Sequence, residues 1–572
     1  MPFKFRALLT ASFSTLLLAS CGGGGSSSSA PTTVAVTPPP ATTTPPPEPT
    51  SQAPVFTANV FEDENEFVAQ CETPRTGTDP ATNRPFVDSA GSELLEKFWL
   101  RSWNDRTYLF YDEVTDVDPA GINPNTGQTY TRLEYFDILR TFATTPSGKQ
   151  KDEFHFTQDT AERFQRVSTG SSAGYGAQYA FLAAAPPRDL RVAFTEAGSP
   201  FDEVNVARGA KILSINGLDA VNGNEVDGLN AGLFPSEAGV ETTFEIEDTP
   251  GAAPREVTVT SAIVASDPVF ETKVIDQGDD KVAYMAFNTF GTIVAQDRLY
   301  EEFSALEDEG IDDLVLDLRY NGGGFIAIAS QLGYMIAGEQ TAGQTFDLAQ
   351  FNDKHPTFNP VTGERIEPSP FYDTTLNFEN TTLTPGLPLP TLNLNRVFIL
   401  STPGTCSASE LIINSLRGID VEVILVGDTT CGKPFGFFTT DNCGVSYSTV
   451  QIKAVNAKGF GDYEDGFTPG EAGSNAFGVI VDGCRMGDDF SAQLGDTEEA
   501  LLSSALTFRS TGSCPAATAT AEAKTALNVS QKGAADAAGP SLFDSPIYKR
   551  EMSYRQELIR DFPPMRASTG LQ

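Results

Sequence analysis

The chain has 572 residues, of which 40% are hydrophobic, so it is long enough for two or three packed domains. Asp and Glu number 76 against 38 Lys and Arg, which gives a formal net charge of −38. This negative charge disfavours nucleic acid and anionic membrane surfaces as partners, because both are themselves negatively charged.

The first 21 residues, MPFKFRALLTASFSTLLLASC, have the pattern of an export signal. Lys4 and Arg6 precede an apolar run that is too short to span a membrane and that ends in small residues. Residues 18–21 resemble a bacterial lipobox, which predicts lipidation of Cys21 and cleavage just before it. The alternative is a simple signal peptide in which Cys21 is incidental.

Residues 22–54 are rich in Gly and Ser and then in Pro and Thr, a composition that cannot fold and that predicts a tether. With a lipid on Cys21, this tether would hold the folded part at a membrane surface, facing the periplasm or the cell exterior. The lipid would be the membrane contact. Gly22 is not an acidic retention signal, which favours the outer membrane.

Export to an oxidising compartment allows the remaining cysteines to form disulfides. These cysteines are Cys71, Cys406, Cys431, Cys443, Cys484 and Cys514. Six cysteines permit many pairings, and the sequence alone does not choose among them.

Residues 55–170 are acidic and rich in aromatic residues. In SELLEKFWLRSWNDRTY, residues 92–108, apolar side chains recur at helical spacing and could form one buried face. The pattern predicts an N-terminal helical region.

Residues 171–265 change to short strands separated by glycine turns, and they resemble a PDZ domain. The resemblance lies in GYGAQY at 174–179, at the place of the carboxylate-binding loop, and in ARGAKILSINGLDAV at 207–221. It implies that Gly174, Tyr175 and Gly176 hold the carboxylate of a peptide C-terminus through backbone N–H groups, while the peptide adds a strand to the sheet edge. The alternative is an ordinary β domain, because strands joined by Asn-Gly turns are common.

Strand and helix patterns alternate over residues 266–512. The strands are KVAYMAFNTF, DDLVLDLRY, RVFILST and VEVILVG, and the helices are AQDRLYEEFSALEDEG, GFIAIASQLGYMIAG and SASELIINSLRG. Continuous runs of Val, Ile and Leu between helices predict an α/β domain whose sheet is covered on both faces. Residues 513–572 are expected to be a poorly ordered tail with one short helix.

Two nucleophiles stand side by side where the strand RVFILST gives way to a helix, in TCSASE at 405–410. The chain has two histidines, His155 and His355, and neither lies near these nucleophiles in sequence, so a histidine base has only two candidates. A lysine can replace histidine if burial among apolar groups favours its neutral form. Lys433 is such a candidate, because it follows a core strand and is flanked by three phenylalanines. The alternative is a lysine that reaches solvent over these rings.

Three motifs in this region resemble the S41 peptidases, the C-terminal processing or tail-specific proteases. Their SASE motif matches residues 407–410, VGExTxGK matches VGDTTCGK at 426–433, and DLRxNxGG matches DLRYNGGG at 317–324. DEFHFTQDTAERFQ, at 152–165, looks like the DPHSxYLxPEEF segment that precedes the PDZ domain in this family. The order of regions also agrees, over about residues 90–510.

The resemblance implies a ClpP/crotonase-like α/β core with a Ser/Lys dyad that cleaves exported proteins captured by their C-termini. Ser407 would be the nucleophile and Lys433 the general base. The oxyanion would be held by the backbone N–H of Ala408 and of Gly323 or Gly324. No metal, nucleotide or other cofactor is indicated, because the sequence has neither a His/Cys cluster with ligand spacing nor a P-loop.

The sequence departs from the family after the lysine. Many S41 peptidases have glycine next and glutamine four residues on, whereas this chain has Pro434 and Phe437. The partner that orients the lysine is therefore open, with Asp420 as one weak candidate. The alternative function is a catalytically degraded lipoprotein that binds peptides or other ligands without cleaving them.

Cys406 is a poor nucleophile candidate, because a reactive thiolate needs a nearby cation and a neutral Lys433 is none. A disulfide from Cys406 or Cys431 would instead brace the site. The pairings expected first are Cys431 with Cys443 and Cys484 with Cys514.

Overall fold

A computed structural model describes residues 54–79, 84–378, 381–470, 477–515, 539–555 and 558–559. The predicted signal, the lipidation site Cys21 and residues 22–53 of the tether lie outside the described residues. The described residues belong to one compact unit, Ala53–Gln572. Among the helices in these ranges, none has the length and apolar character needed to cross a membrane.

The region predicted to be helical, residues 55–170, contains both strands and helices. Its strands are β1 (Gln70–Cys71), β2 (Thr78–Asp79), β3 (Arg84–Pro85), β4 (Ser89–Ala90) and β5 (Phe156–Asp159). Its helices are α1 (Glu93–Thr107), α2 (Arg132–Asp137) and α3 (Thr160–Thr169), with short 3-10 turns at Glu64–Glu66 and Tyr111–Glu113. The prediction of a helical region is therefore correct for only part of this segment.

Helix α1 begins where the sequence supplies a cap. The side chain of Ser92 accepts the backbone N–H of Leu95 at 3.4 Å, and two glutamates in the first turn face the positive end of the helix dipole. Trp99 and Trp103, four residues apart, stack with ring centroids 5.2 Å apart in a buried aromatic cluster.

Residues 171–265 form a mostly antiparallel β domain with two short helices. Its strands are β6 (Ser171–Gly174), β7 (Ala177–Ala183), β8 (Asp189–Thr195), β9 (Lys211–Ile215), β10 (Leu218–Asp219), β11 (Glu241–Glu247), β12 (Arg255–Thr260) and β13 (Ala262–Ala265). Its helices are α4 (Pro200–Glu203) and α5 (Val226–Leu233). The main sheet has the order β12-β11-β9-β8-β7, with β10 paired to β9, so β7 lies at an edge.

The largest region, residues 266–515, is built around a six-stranded sheet. Its strands are β14 (Val269–Gln277), β15 (Asp280–Phe287), β16 (Asp313–Asp317), β17 (Gly324–Phe325), β18 (Thr345–Gln350), β19 (Ser369–Pro370), β20 (Arg396–Ser401), β21 (Glu422–Gly427), β22 (Phe435–Gly436), β23 (Thr440–Asn442), β24 (Val445–Ser448), β25 (Ile452–Val455), β26 (Phe467–Pro469), β27 (Val479–Val481) and β28 (Gly483–Arg485). Its helices are α6 (Val294–Glu309), α7 (Ile326–Ala337), α8 (Ala408–Gly418) and α9 (Ala500–Thr511), with a 3-10 turn at Gly338–Thr341.

The central sheet has the order β14-β15-β16-β20-β21-β28, antiparallel at β14–β15 and parallel elsewhere. Along β15, Ala283, Met285 and Phe287 pack into one apolar layer, and Val282 and Tyr284 pack into the other. Helices α6, α7 and α8 supply side chains to the first layer and α9 supplies them to the second. The predicted α/β domain with a sheet covered on both faces is confirmed.

The N-terminal region is joined directly to this core. Strand β5 pairs with β24, and a disulfide connects Cys71 to Cys443, which are 372 residues apart. Tyr447 of β24 packs against Trp99, with ring centroids 5.4 Å apart. Residues 55–170 therefore share a sheet and an aromatic cluster with the core.

The end of the chain is more structured than the sequence predicts. A 3-10 turn (Leu542–Asp544), helix α10 (Pro546–Arg555) and strand β29 (Leu558–Ile559) follow residue 539. The short helix predicted for the tail is present as α10, whereas the expectation of poor order is wrong for these residues, because Leu542 is buried in the β domain's core.

A buried ionic network fixes the end of β16. Arg319 donates to Asp317 Oδ2 at 2.6 Å, to Asp488 Oδ1 at 2.7 Å and to Glu499 Oε1 at 2.8 Å, and its side chain is 0% exposed. Arg208 also pairs with Asp488 at 2.9 Å. Burial opposes ionisation, yet the charges of Arg208 and Arg319 hold the pKa of Asp488 below its ordinary value.

We expect the substitution Arg319→Met to lower the free energy of unfolding by about 3–5 kcal/mol, because it leaves buried carboxylates without their shared cation. Urea unfolding measures the change. Arg365→Met, at an exposed arginine, is the control and should alter stability by less than about 0.5 kcal/mol. Equal midpoints for the two variants would contradict a structural role for the network.

Candidate active site

The candidate residues follow three neighbouring parallel strands. The DLRYNGGG turn follows β16, Ser407 follows β20 and Lys433 follows β21, and these strands are adjacent in the order β16-β20-β21. Since the carboxyl ends of parallel strands meet at one edge of a sheet, the three segments converge there. Motifs more than 100 residues apart in sequence thus form one site.

Hydrogen bonds join the loop between β20 and α8, which carries the candidate nucleophile Ser407 and is called the nucleophile loop, to the glycine turn DLRYNGGG. The backbone N–H of Cys406 and the hydroxyl of Ser409 both donate to Asn321 O, at 3.1 and 3.0 Å. Thr405 Oγ1 donates to Leu318 O at 2.7 Å. The Asn321 side chain also shapes its own turn, because its Oδ1 accepts the N–H of Gly323 at 3.0 Å.

At Gly323 and Gly324, the two candidate oxyanion-hole glycines, a side chain would collide with neighbouring atoms. Gly323 has φ of 116°, and a Cβ there would lie 2.9 Å from Ser407 Oγ and 3.0 Å from the N atom of Ala408. Gly324 has φ of 137°, and a Cβ there would collide with the backbone of Phe290. A side chain at Gly323 would therefore fill the space beside the nucleophile.

Ser407 immediately precedes helix α8, as the sequence predicts for the candidate nucleophile. Its backbone has a positive φ of 62° with ψ −115°, a combination that is unusual for a residue other than glycine. The side chain is 0% exposed, and its Oγ has no hydrogen-bond partner among the described residues. Strained backbone and an unsatisfied buried hydroxyl are features that cluster at functional sites.

One buried carboxylate connects the nucleophile loop to the lysine loop. Glu410 accepts backbone N–H groups from Ser407 at 3.0 Å, from Gly432 at 2.7 Å and from Lys433 at 2.8 Å, and it also accepts the hydroxyl of Thr430. Burial raises the pKa of Glu410, and these four donors oppose that rise. The sequence motif contains Glu410, but its role in joining the two loops was not foreseen.

Lys433 is buried between aromatic rings. Lys433 is only 1% exposed, so the alternative of a lysine that reaches solvent is wrong. Nζ lies 4.7 Å from the ring centroid of Phe154 and 4.7 Å from that of Phe437. Phe437, which stands where many S41 peptidases have glutamine, thus forms one wall of the lysine's surroundings.

A second disulfide links the loop that carries Ser407 to the loop that carries Lys433. Cys406 pairs with Cys431, and Cys431 N donates to Thr405 O at 3.0 Å. The expected Cys431–Cys443 pairing is wrong, because Cys443 lies in the β23–β24 turn beside the N-terminal region and pairs with Cys71. The expected Cys484–Cys514 pairing is present.

These disulfides also bear on two alternative chemistries. A Cys406 engaged in a disulfide has no thiolate with which to act as a nucleophile. Cys406, Glu410 and Cys431 offer ligand atoms within 4.8 Å of one another, but both sulfur atoms belong to the disulfide bond and are not thiolate ligands.

Asp152 is an acidic side chain near the lysine that the sequence reasoning missed. It is fully buried and accepts Tyr108 Oη at 2.6 Å and the N–H of Phe154 at 2.9 Å. Burial raises the pKa of Asp152, and the nearby charge of Lys433 is among the influences that lower it. Asp152 is the first residue of DEFHFTQDTAERFQ, the segment that resembles the family's DPHSxYLxPEEF, so this resemblance is the sequence signal that marks its position.

Asp420, the weak candidate for orienting the lysine, lies elsewhere. Its carboxylate is 85% exposed and pairs with Lys458. An exposed, paired carboxylate on the surface differs in environment from the buried groups around Lys433, and the structure gives no support to Asp420.

Neither histidine contacts the nucleophile. His155 is stacked on Phe136 and its two ring nitrogens are bonded to Phe136 O at 2.8 Å and Thr449 Oγ1 at 3.0 Å. Burial lowers the pKa of His155 to about 3. His355 bonds to Arg106 O at 3.0 Å. Both are held by other groups, which removes the histidine-based alternative.

The peptide-binding candidates lie in the β domain, with Gly174 at the end of β6 and Tyr175 and Gly176 in the turn to β7. The Tyr175 side chain points into the core, where its Oη donates to Thr242 Oγ1 at 2.7 Å, so only its backbone is available to a ligand. A Cβ on Gly176, φ 76°, would collide with the side chain of Ser199. The turn therefore requires glycine at 176.

Comparison with known proteins agrees with this architecture. Residues 281–457 match the model of peptidase family S41. A solved structure from Bacteroides fragilis assigned to the S41 proteases superposes with a TM-score of 0.53 and 21% identity, covering 73% of this chain and 97% of that one. The fold is that of an S41 protease.

Two curated relatives are similar to about half of this chain. The carboxyl-terminal-processing protease of Picosynechococcus sp. is 24% identical over 273 residues, covering 47% of this chain and 57% of that protein. The protein with the same description from Synechocystis sp. is 23% identical over 292 residues, covering 50% and 60%. The predicted resemblance to S41 peptidases is confirmed, and the chain spans less than two thirds of each relative's length.

We expect Glu410→Gln to weaken the link between the Ser407 and Lys433 loops at the candidate active site, called the S41 site below. The amide replaces one acceptor oxygen with an NH₂ group that faces N–H donors. The free energy of unfolding should fall by about 3 kcal/mol in urea titrations. Glu422→Gln, at an exposed glutamate on β21, is the matched control and should leave the midpoint unchanged. If E410Q unfolds at the same urea concentration as the wild type, the carboxylate does not hold the two loops.

Proposed function

We propose that the chain is an exported serine endopeptidase of the C-terminal processing type, in which Ser407 is the nucleophile and Lys433 the general base. One observation carries the proposal: the Glu410 carboxylate binds the backbone N–H groups of both Ser407 and Lys433. The two groups are thereby fixed relative to each other, and glycine at 323 leaves the space beside Ser407 Oγ free of a Cβ. The lipobox at Cys21 and the tether support export and membrane anchoring.

In the proposed reaction, Ser407 Oγ attacks a peptide carbonyl carbon while neutral Lys433 Nζ takes the hydroxyl proton. The negative charge that develops on the carbonyl oxygen is stabilised by the N–H of Ala408 and of a turn glycine. Because the Gly323 N–H donates to Asn321 Oδ1, Gly324 is the favoured glycine donor. Lys433 then protonates the leaving amine, and water hydrolyses the acyl ester, with Lys433 accepting the water proton and returning it to Ser407.

Asp152 and the aromatic rings take the place of the family's glutamine in this proposal. Phe154 and Phe437 flank Nζ, and Asp152 is close enough for the charge of Lys433 to lower its pKa. The rings limit the positions that Nζ can adopt, which is the task of an orienting partner.

A second candidate function is a non-catalytic peptide-binding protein. The observation that favours it is the same pair of rings, because an ammonium between two aromatic faces gains cation–π stabilisation. A lysine kept charged by such contacts cannot act as a general base. The replacement of glutamine by Phe437 is consistent with this loss.

We expect Ser407→Ala and Lys433→Ala each to reduce turnover of an unfolded protein substrate by at least about 100-fold. Lys458→Ala, at a half-exposed surface lysine, is the control and should retain wild-type turnover. The measurement is the initial rate of substrate loss at fixed enzyme concentration. Equal turnover by the two variants and the wild type would contradict the Ser/Lys mechanism, and a wild type without turnover would favour the binding protein.

The PDZ-like β domain is proposed to capture substrates by their C-termini, through backbone groups at residues 174–176 and the edge strand β7. Amidation of the substrate's C-terminal carboxylate should therefore raise KM by about 10-fold, with little change in kcat. N-terminal acetylation is the matched control, because it removes a charge at the other end. An unchanged KM for the amidated substrate would argue against C-terminal capture.

A further inference from the structure

The C-terminal segment, defined here as residues 539–555 and 558–559, contacts both the β domain and the S41 site. Helix α10 lies against α5 of the β domain, and β29 lies beside β22, which follows Lys433 by two residues. No role in the proposed reaction accounts for this segment. The segment contacts the edge strand β7 and the strand β17 beside the glycine turn, and both lie on the path proposed for a substrate peptide.

The first docking site is at the edge of the β domain. Leu542 N donates to Ala184 O at 3.0 Å, directly after the edge strand β7, and Asn230 Nδ2 of α5 donates to Leu542 O at 3.1 Å. The Leu542 side chain is 1% exposed within the apolar core of this domain. The segment is a 3-10 turn here and adds no strand, but its backbone bond beside the end of β7 and its buried apolar anchor use the same kinds of contact as a peptide docked at this edge.

Aromatic side chains extend this contact along β7 and α5. The ring of Phe181 on β7 lies 5.6 Å from that of Phe543 and 5.2 Å from that of Tyr548, and Phe234, after α5, lies 6.4 Å from Tyr548. Ser545 Oγ donates to Asp227 Oδ1 on α5 at 2.9 Å. The segment therefore covers the space between the edge strand and the helix.

The second docking site is at the catalytic centre. Strand β29 pairs in parallel with β17, with Leu558 opposite Gly324 and Ile559 opposite Phe325. Gly324 is the favoured glycine of the proposed oxyanion hole. Ser407 and Lys433, which flank this place, are 0% and 1% exposed. The backbone of the C-terminal segment thus lies where the main chain of a substrate would have to pair.

We propose that the C-terminal segment is an intramolecular competitor that occupies the substrate path from the β domain to the S41 site. The inference rests on the proposed function, because that function defines the path. A tethered segment acts at an effective concentration on the order of millimolar. Substrates of similar intrinsic affinity are therefore excluded until the segment is displaced, and turnover is limited by its release.

The test measures peptide binding in the full chain with Ser407→Ala, so that cleavage does not interfere. The probe is a fluorescent synthetic peptide with the sequence of residues 539–559, followed by polarisation. Tyr548→Ser and Leu542→Ser each weaken docking of the chain's own segment and should lower the apparent Kd of the probe by at least about 10-fold. Arg550→Ala, at an exposed residue on the same helix, is the matched control and should leave the Kd unchanged.

Hydrogen exchange separates displacement of the segment from unfolding of the β domain. Displacement raises exchange at β17 and at the edge strand β7, while β9 and β11 in the middle of the sheet stay protected. If Leu542→Ser instead raises exchange throughout the sheet, Tyr548→Ser decides the result, because Tyr548 lies outside the buried core. Exchange at β17 that does not change in Tyr548→Ser would overturn the proposal.

Turnover by the same variants with intact Ser407 distinguishes the two proposals. Higher turnover in Tyr548→Ser than in the wild type, with tighter probe binding, supports both. Tighter binding without turnover in any form contradicts the peptidase function and leaves the competitor inference standing. Equal turnover in all forms with an unchanged probe Kd overturns the competitor inference alone.

Discussion

The Glu410 carboxylate is the interaction on which the candidate site depends. It is fully buried, and it is held there by three backbone N–H groups and one hydroxyl that come from two loops. In the interior, these four hydrogen-bond donors replace the water that would solvate the carboxylate. Because the donors come from both loops, the order of each loop depends on the hydrogen bonds of the other. The disulfide between Cys406 and Cys431 then joins the same two loops covalently.

Buried ion pairs hold the backbone that leads from β16 into the glycine turn. Arg319 lies two residues after Asp317 and binds three carboxylates in the interior, so the chain cannot leave β16 in another direction without breaking buried ion pairs. Asn321 then closes the turn with its side chain and accepts two bonds from the nucleophile loop. The motif DLRYNGGG is thus a structural unit, in which the charged residues position the backbone of the glycines.

Much of the core could be predicted from the sequence because its signals are local. Continuous apolar strands, a glycine at the end of α6 and a serine at the start of α8 each report on a few neighbouring residues. The convergence of Ser407, Lys433 and the glycine turn followed from the order of motifs. The Cys71–Cys443 bond did not, because it depends on β5 joining β24 across more than 280 residues. Likewise, the same long-range packing brings Asp152 near Lys433. The C-terminal segment docks through few apolar residues, so its sequence has only a weak hydrophobic pattern.

The edge of β17 at which β29 pairs, called here the strand slot, has a consequence for specificity. β17 is two residues long, and β22 also lies near β29. Pairing of this kind uses main-chain groups, which every peptide carries, so the slot itself discriminates poorly between side chains. In the proposed peptidase, substrates must therefore be selected at another site. A domain that binds a C-terminal carboxylate can make this selection without restricting the sequence that is cleaved. The same tolerance explains how a segment of the chain itself can fill the slot.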